Sequence, residues 1–244
     1  SAILVLLALI RTSDIYKLHL RKVRFFEGSL SSILRIGIPA GLQAAMYSLS
    51  NIIIQTALNA LGTDTVAAWT SFGKMDAFCW MVISAFGISA TTFVGQNYGA
   101  GKYDRVRKSV RVCLGMTLAS SIAMSIFLMT AGKYLFHLFT SDPEVIRIGI
   151  QILNYMAPAY ALFVFIEIYS GALRGIGDVI IPTIMTCCGV CVFRTLWVFL
   201  LVPKSPTIET ITLSYPISWG ITAVLFIIYY YKKQKKLGME NFDQ

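Results

Sequence analysis

Residues 180–202, IIPTIMTCCGVCVFRTLWVFLLV, form an apolar run of 23 residues that contains a single charge, that of Arg194. A helix of this length spans about 35 Å at 1.5 Å per residue, which is enough to cross the roughly 30 Å hydrocarbon core of a bilayer. Similar apolar runs recur along the chain between short polar breaks. They predict an all-α, polytopic membrane protein.

The composition supports the same fold class. Hydrophobic residues make up 56% of the 244 residues, charged residues make up 14%, and the mean hydropathy is +0.68. A soluble domain of this size needs more charge to cover its surface. The net charge of +9 would suit nucleic-acid binding, but the basic residues lie in short clusters between apolar runs, as expected of cytoplasmic loops. We therefore exclude nucleic acid as a partner and expect the lipid bilayer instead.

The apolar runs divide the chain into four parts. Residues 1–10 are too short to cross a bilayer and lack the features of a signal peptide, so we interpret them as the end of a truncated transmembrane helix. Residues 11–32 are predicted to be a basic cytoplasmic linker, residues 33–231 a six-helix transmembrane bundle, and residues 232–244 a basic cytoplasmic tail. The six predicted spans cover residues 33–61, 66–94, 110–131, 146–173, 180–202 and 211–231.

The loops on the two sides of the predicted bundle differ in charge. Sixteen Lys and Arg residues lie on the side that includes residues 232–236, whereas the opposite side has only Lys133, Arg147 and Lys204. Basic residues accumulate in cytoplasmic loops. The difference predicts that the basic loops and the C-terminus are cytoplasmic, and we expect the membrane to be the plasma membrane.

Polar side chains recur along the first predicted span at steps of four residues. They are Gln43, Tyr47, Asn51, Gln55 and Asn59. A step of four residues advances about 40° around a helix, so these side chains form one slowly winding polar stripe. The stripe either hydrogen-bonds to neighbouring helices or lines a water-filled cavity. Pro39 and Pro158 agree with helices that bend around such a cavity.

Four charged side chains lie in the interior of the predicted spans, away from their ends, where each costs free energy unless it is paired, protonated or hydrated. They are Lys74, Asp76, Glu167 and Arg194. Lys74 and Asp76 are two residues apart, so they point to different sides of their helix. Arg194 binds either neighbouring carbonyl groups or a substrate. Lys74, Asp76 and Arg194, together with Arg174, are candidates for an intramembrane charge network.

Glu167 is the candidate for ion coupling. It lies about one and a half turns from the cytoplasmic end of its span, with Tyr160, Tyr169 and Ser170 nearby in sequence. A carboxyl group in a low-dielectric setting favours its neutral form and can exchange a proton near neutral pH. The alternative is an ion pair with Arg174. We predict a substrate and ion pathway formed by Gln43, Tyr47, Asn51, Gln55 and Glu167.

Patterns that indicate catalysis or metal binding are absent from the sequence. The five cysteines lie in apolar runs and the Cys188-x-x-Cys191 pair has no second pair or histidine beside it, so we expect small, buried apolar side chains. His19 and His137 lie in loops on opposite sides. The glycine-rich segment 95–101 follows an apolar helix rather than a strand, and we interpret it as a turn. We expect no enzyme activity, no metal and no cofactor.

Three segments together resemble the multidrug and toxic compound extrusion (MATE) family. They are Ile38-Pro39-Ala40-Gly41-Leu42-Gln43, Val94-Gly95-Gln96-Asn97-Tyr98-Gly99-Ala100-Gly101, and Ser170-Gly171-Ala172-Leu173-Arg174-Gly175-Ile176-Gly177-Asp178. The resemblance covers nearly the whole chain. It implies the C-terminal lobe of a twelve-helix transporter, helices seven to twelve, with residues 11–32 as the linker to a missing N-terminal lobe.

The resemblance also implies a function. Members of the family export small organic, often cationic, compounds against a cation by alternating access, and a bacterial inner membrane is expected. Some members have an ion-binding acid in helix seven, where this chain has Gln43, Tyr47 and Asn51, and another in helix ten near Phe163, about one turn from Glu167. Other members have the acid in helix one, which this chain lacks. The coupling ion is therefore either H⁺ or Na⁺.

Two other functions remain as alternatives. A flippase for a lipid-linked saccharide should have more basic residues in its cavity, to hold phosphates, than Lys74 and Arg194 provide. A membrane scaffold without transport activity does not need the polar stripe, because purely structural bundles favour small residues at helix contacts.

Overall fold

The computed structural model describes residues 2–14, 17–18 and 27–237, and the regular structure in these residues is helical throughout. The helices are α1 (Ala2–Arg11), α2 (Glu27–Asn59), α3 (Thr63–Gly99), α4 (Tyr103–His137), α5 (Pro143–Gly175), α6 (Ile180–Thr186), α7 (Phe193–Leu201) and α8 (Ile208–Lys236). A π-helical segment, Cys187–Val192, joins α6 to α7. The predicted all-α membrane fold is confirmed.

Five helical stretches among the described residues are long and apolar enough to cross a membrane: α3, α4, α5, the continuous α6–α7, and α8. The sixth predicted span corresponds to α2, which has 33 residues and is therefore about 50 Å long. α2 is not among the five because polar residues such as Gln43 and Asn51 dilute its apolar side chains.

The chain divides into two compact units, residues 1–38 and residues 39–244. The first unit contains α1 and the start of α2. In it, Ile3 and Leu4 of α1 are exposed, and the backbone N–H of Leu18 donates to the carbonyl of Leu9 at 2.8 Å. The second unit contains the rest of α2 and all of α3 to α8, and it includes all the features described below.

The helices extend beyond the predicted bundle at both ends. α2 begins at Glu27, so residues 27–32 of the predicted linker are helical, and residues 232–236 of the predicted tail continue α8. Lysine is a good helix former, and cations are favourable at a helix C-terminus. Residues 15–16 and 19–26 of the predicted linker lie outside the described residues, and so does the predicted loop position of His19. The same holds for residues 238–244 of the predicted tail.

The glycine-rich segment 95–101 is mostly helical, which corrects its interpretation as a turn. α3 continues to Gly99, and the turn consists of Ala100 and Gly101. Gly101 has φ of 70°, a left-handed conformation that favours glycine. The helix continues because glycines on a face that packs closely against another helix do not have to end it.

α5 is the central helix of the second unit and packs against α3, α4 and α8. Its start is fixed by Asp142, whose Oδ1 accepts a hydrogen bond from the N–H of Glu144 at 2.8 Å, and by Pro143 in the first turn. Buried apolar side chains along α5 include Ile152 and Ile166. α5 is therefore enclosed by other helices along much of its length, including the turns around Tyr160 and Phe163.

Glycines bring α3 and α5 into close contact. A Cβ atom on Gly171 would lie 2.7 Å from the carbonyl oxygen of Gly87, and one on Gly175 would lie 2.7 Å from the carbonyl oxygen of Thr91. A Cβ on Gly95 would lie 3.3 Å from the carbonyl oxygen of Gly175. Small residues permit this approach of helix backbones in membranes. Two of the three segments that carry the family resemblance therefore meet along one helix contact.

The cysteines are free, but they are not uniformly buried. Cys79, Cys113 and Cys191 are buried as expected, whereas Cys187 is half-buried and Cys188 is exposed. The expectation is wrong for Cys188 because α6, the π-helical segment and α7 pack on the bundle mainly through α8, which leaves their other side exposed.

Candidate functional site

A polar cavity of about 520 Å³ lies in the second unit between α2, α3, α5, α7 and α8. Three charged side chains line it: Asp76 on α3, Glu167 on α5 and Arg194 on α7. Charged side chains within membrane-spanning helices are costly unless they are paired or hydrated. A charge that lacks a full set of partners in the protein can bind a ligand in the cavity, so the partners of each charge are described in turn.

The polar stripe of α2 faces this cavity. Gln43, Tyr47, Asn51 and Gln55 all belong to its lining. Asn59, the fifth stripe residue, accepts a hydrogen bond from Nε2 of Gln55 at 2.9 Å. The structure thus brings the four predicted pathway residues of α2 together with Glu167, while their role in transport stays a prediction.

Glu167 lines the cavity and is also paired. Its Oε1 lies 3.7 Å from Nη2 of Arg174, two helical turns further along α5. Gly87 on α3 lies against the Glu167 side chain, and a Cβ atom at Gly87 would overlap it. The two interpretations open from the sequence, a cavity group and an ion pair, therefore both describe the same carboxylate.

Two tyrosines expected near Glu167 have other partners. Tyr160 donates its hydroxyl hydrogen bond to Oδ1 of Asp76, and the ring of Tyr169 packs against that of Tyr230 with 4.7 Å between centroids. Tyr160 lies two turns before Glu167, a separation of about 10 Å along the helix, which places it at the level of Asp76 instead.

Asp76 is a second carboxylate of the cavity, and hydrogen bonds hold both of its oxygens. Nε1 of Trp80 donates to Oδ2 at 2.9 Å, and Tyr160 donates to Oδ1. Residues four apart on a helix are neighbours, so the sequence contained the signal for the Asp76–Trp80 contact. The contact with Tyr160 depends on the packing of α3 against α5, which no local pattern predicts.

Arg194 supplies positive charge to the cavity. It is 2% exposed, and its guanidinium lies over the ring of Tyr215, with 3.7 Å from Cζ to the ring centroid. This is the geometry of a cation–π contact. Its Nε is buried and has no hydrogen-bond partner among the described residues. A buried donor without an acceptor is costly, so this nitrogen remains available to an acceptor that enters the cavity.

The candidate network of Lys74, Asp76, Arg174 and Arg194 is not a single network. Lys74 is exposed and does not line the cavity; its Nζ lies 5.1 Å from the centroid of the Phe139 ring. Side chains two residues apart on a helix point about 200° away from each other. Because Asp76 points into the cavity, Lys74 points away from it. Asp76 and Arg194 share the cavity, and Arg174 reaches it only through its pair with Glu167.

Aromatic rings complete the cavity wall, although no pattern in the sequence pointed to them. Trp69, Trp80 and Phe163 belong to the lining, and the buried ring of Trp219 packs behind Phe163 with 5.2 Å between centroids. Aromatic residues are common in apolar helices, so their presence in the sequence is not a signal. Packing of α3, α5 and α8 assembles them.

Comparison with known proteins agrees with this architecture. The MatE family model matches residues 39–200. The probable multidrug resistance protein YoeA of Bacillus subtilis (strain 168) is 24% identical over 225 residues, which cover 92% of this chain and 49% of that protein. Multidrug and toxin extrusion protein 1 of Homo sapiens is 26% identical over 159 residues, which cover 65% of this chain and 28% of that protein.

A solved structure shows the same fold. The outward-facing conformation of a multidrug resistance MATE family transporter of the MOP superfamily matches with a TM-score of 0.86 at 19% identity, covering 97% of this chain and 54% of that chain. The helices and the polar cavity define a multi-pass membrane protein with a transporter fold.

The chain belongs to the MatE family. The proteins of this family are transporters, so the expectation that the chain is not an enzyme is confirmed. The chain spans about half the length of YoeA and of the solved transporter, which is the extent of one lobe. Within the described ranges, His, Cys, Asp and Glu side chains form no group of three that would hold a metal ion.

Proposed function

We propose that this chain is the C-terminal lobe of a cation-coupled multidrug efflux antiporter, and that its polar cavity is one wall of the pathway for the substrate and the coupling ion. One observation carries the proposal. The carboxylates of Asp76 and Glu167 share a cavity of about 520 Å³ with the polar stripe of α2.

The cavity chemistry favours small organic cations as substrates. Two carboxylates and the rings of Trp69, Trp80 and Phe163 surround the space, and aromatic faces attract organic cations. Arg194 is the base that lines the cavity among the described residues, and its charge already lies over Tyr215. A flippase that holds several phosphates would need more bases, so efflux is the function that this lining supports.

The pair between Glu167 and Arg174 supplies a route for coupling. Binding of H⁺ or Na⁺ at the Glu167 carboxylate competes with Arg174 for the same oxygen atoms. Loss of the pair changes the charge balance along α5, which contains Pro158 between the two ends of the helix. A ligand shifts a conformational equilibrium by its differential affinity for the two states, and a helix bent at proline is a suitable two-state element.

A second lobe is part of the proposal. Substrate sites of transporters with internal repeats lie between the repeats, so one lobe supplies one wall. The positive side of the chain includes the start of α4 and the end of α8, which supports a cytoplasmic C-terminus in a bacterial inner membrane. The N-terminal lobe of the same protein is then the partner of this chain.

Drug resistance of a sensitive host tests the proposal. The full-length protein should confer resistance to lipophilic organic cations, and residues 1–244 expressed alone should confer none. Immunoblots of the membrane fraction control for the amount of each protein. Equal resistance from both proteins, or none from the full-length protein at a matched level, would contradict it.

A further inference from the structure

A second, separate space lies between α3 and α4. It is a groove of about 660 Å³ that shares no lining residue with the polar cavity. On α3 its lining includes Phe86, Phe93 and Asn97. These positions are seven and four residues apart, so they lie along one face of the helix.

The facing wall on α4 changes in character along its length. Arg105 and Lys108 line the groove near the start of α4, and Met116 lines it further along. The short turn at residues 100–102 makes α3 and α4 antiparallel neighbours. Asn97, Arg105 and Lys108 therefore lie at the turn end of the groove, and the apolar side chains lie beyond them.

The groove has the length of one membrane leaflet. Eleven residues separate Phe86 from Asn97, which is about 16 Å along a helix, and half of a hydrocarbon core is about 15 Å. α3 and α4 are both candidate membrane spans. The side chains of Phe93 and Met116 are 55% and 53% exposed, so the apolar part of the groove is open to a ligand from the side.

Within the described part of the chain, no acidic side chain pairs with the positive charges at the turn end. Asp104, the nearest acid in sequence, pairs with Arg107 at 2.6 Å. Among the described residues, the ion pairs include neither Arg105 nor Lys108. A soluble anion would use these two charges, but it would leave the apolar remainder of the groove empty.

We propose that this groove binds an anionic phospholipid of the cytoplasmic leaflet. Arg105 and Lys108 hold the phosphate and the charged headgroup, Asn97 lies beside them, and one acyl chain follows Phe93 and Met116. Basic pockets between transmembrane helices on the cytoplasmic side suit anionic headgroups. The leaflet assignment rests on the orientation in the proposed function, whereas the recognition of headgroup and chain does not.

Native mass spectrometry of the full-length protein in mild detergent tests the site. Phosphatidylglycerol and phosphatidylcholine with the same acyl chains are titrated in turn. The wild-type protein should retain phosphatidylglycerol in preference to phosphatidylcholine. The double variant Arg105→Gln/Lys108→Gln should bind phosphatidylglycerol at least about tenfold more weakly than the wild type does. The reason is that each base near the surface contributes to the attraction of anionic lipid.

Matched variants separate the groove from general charge. Lys102→Gln/Arg111→Gln removes the same charge from exposed positions at the same end of α4 that do not line the groove, and its lipid binding should match the wild type. Ser89→Trp should fill the groove and release the lipid, whereas Ile88→Trp, at a position 68% exposed, should not. Equal retention of the two lipids, or equal losses in both double variants, would overturn the proposal. The latter result is expected if another part of the full-length protein covers the groove.

Discussion

Glu167 and Arg174 form an ion pair on α5, with 3.7 Å between Oε1 and Nη2, at the edge of the polar cavity. Their side chains are 22% and 31% exposed. Both charged groups are therefore partly shielded from solvent and partly accessible from it. This relationship connects the cavity to the basic end of the helix and is the basis for the proposed coupling step.

The polar stripe of α2 is expected to face water. Single cysteines at Gln43, Tyr47, Asn51 and Gln55 in a cysteine-free background should react with a membrane-impermeant maleimide, because these positions line the cavity. Cysteines at Leu49, Ile53 and Ala57, which do not line it, should react slowly or not at all. Equal protection of both sets would favour hydrogen bonding between helices as the role of the stripe.

Removal of the Tyr160 hydroxyl group should make the Asp76 side chain less firmly held. Tyr160→Phe loses the hydrogen bond to Oδ1 and leaves an oxygen of the half-buried Asp76 carboxyl group without that donor. We expect a loss of about 1–3 kcal/mol in stability, measured as a lower unfolding midpoint in detergent, and weaker binding of a lipophilic cation. Tyr134→Phe, at a position 75% exposed, is the control and should change neither. An unchanged midpoint and affinity in Tyr160→Phe would show that this contact is unimportant.

The close contact of α3 and α5 should not tolerate a methyl group. Gly171→Ala places a Cβ 2.7 Å from the carbonyl oxygen of Gly87, so the helices must separate. Overpacking of this kind costs about 1–3 kcal/mol, which should lower the unfolding midpoint by several degrees. Gly115→Ala on α4 meets no atom within 4 Å and should be neutral or slightly stabilising. Similar midpoints for the two variants would argue against the contact.

The fold is largely predictable from the sequence because transmembrane helices are recognisable as long apolar runs. Residues 180–201 of the apolar run form one continuous helical stretch, and the spacing of Gln43, Tyr47, Asn51 and Gln55 placed all four on one cavity. Helix ends were less predictable: glycine at 95–99 suggested a turn, but close packing against α5 keeps the helix intact.

The candidate site was only partly predictable, because its partners come from different helices. Glu167 and Arg174 lie on one helix, so their pair was among the alternatives weighed from the sequence. Tyr160, the second partner of Asp76, lies 84 residues away on α5, and the ring over Arg194 belongs to α8. Contacts between side chains of different helices depend on how the helices pack, and the spacing of residues within one helix does not predict that packing.

Glu167→Gln in the full-length protein tests the central claim, that this cavity couples ion and substrate movement. The substitution keeps the shape of the side chain and its hydrogen-bonding capacity but removes its charge. Glu144→Gln, at an exposed position paired with Arg147 outside the cavity, is the control. The measurement is efflux of a fluorescent organic cation from preloaded right-side-out vesicles, followed against external pH and Na⁺ at matched protein levels. We predict that Glu167→Gln lowers efflux to that of vesicles without the transporter, while Glu144→Gln matches the wild type. Normal efflux by Glu167→Gln, with an unchanged dependence on pH and Na⁺, would contradict the account and assign the Glu167–Arg174 pair a structural role.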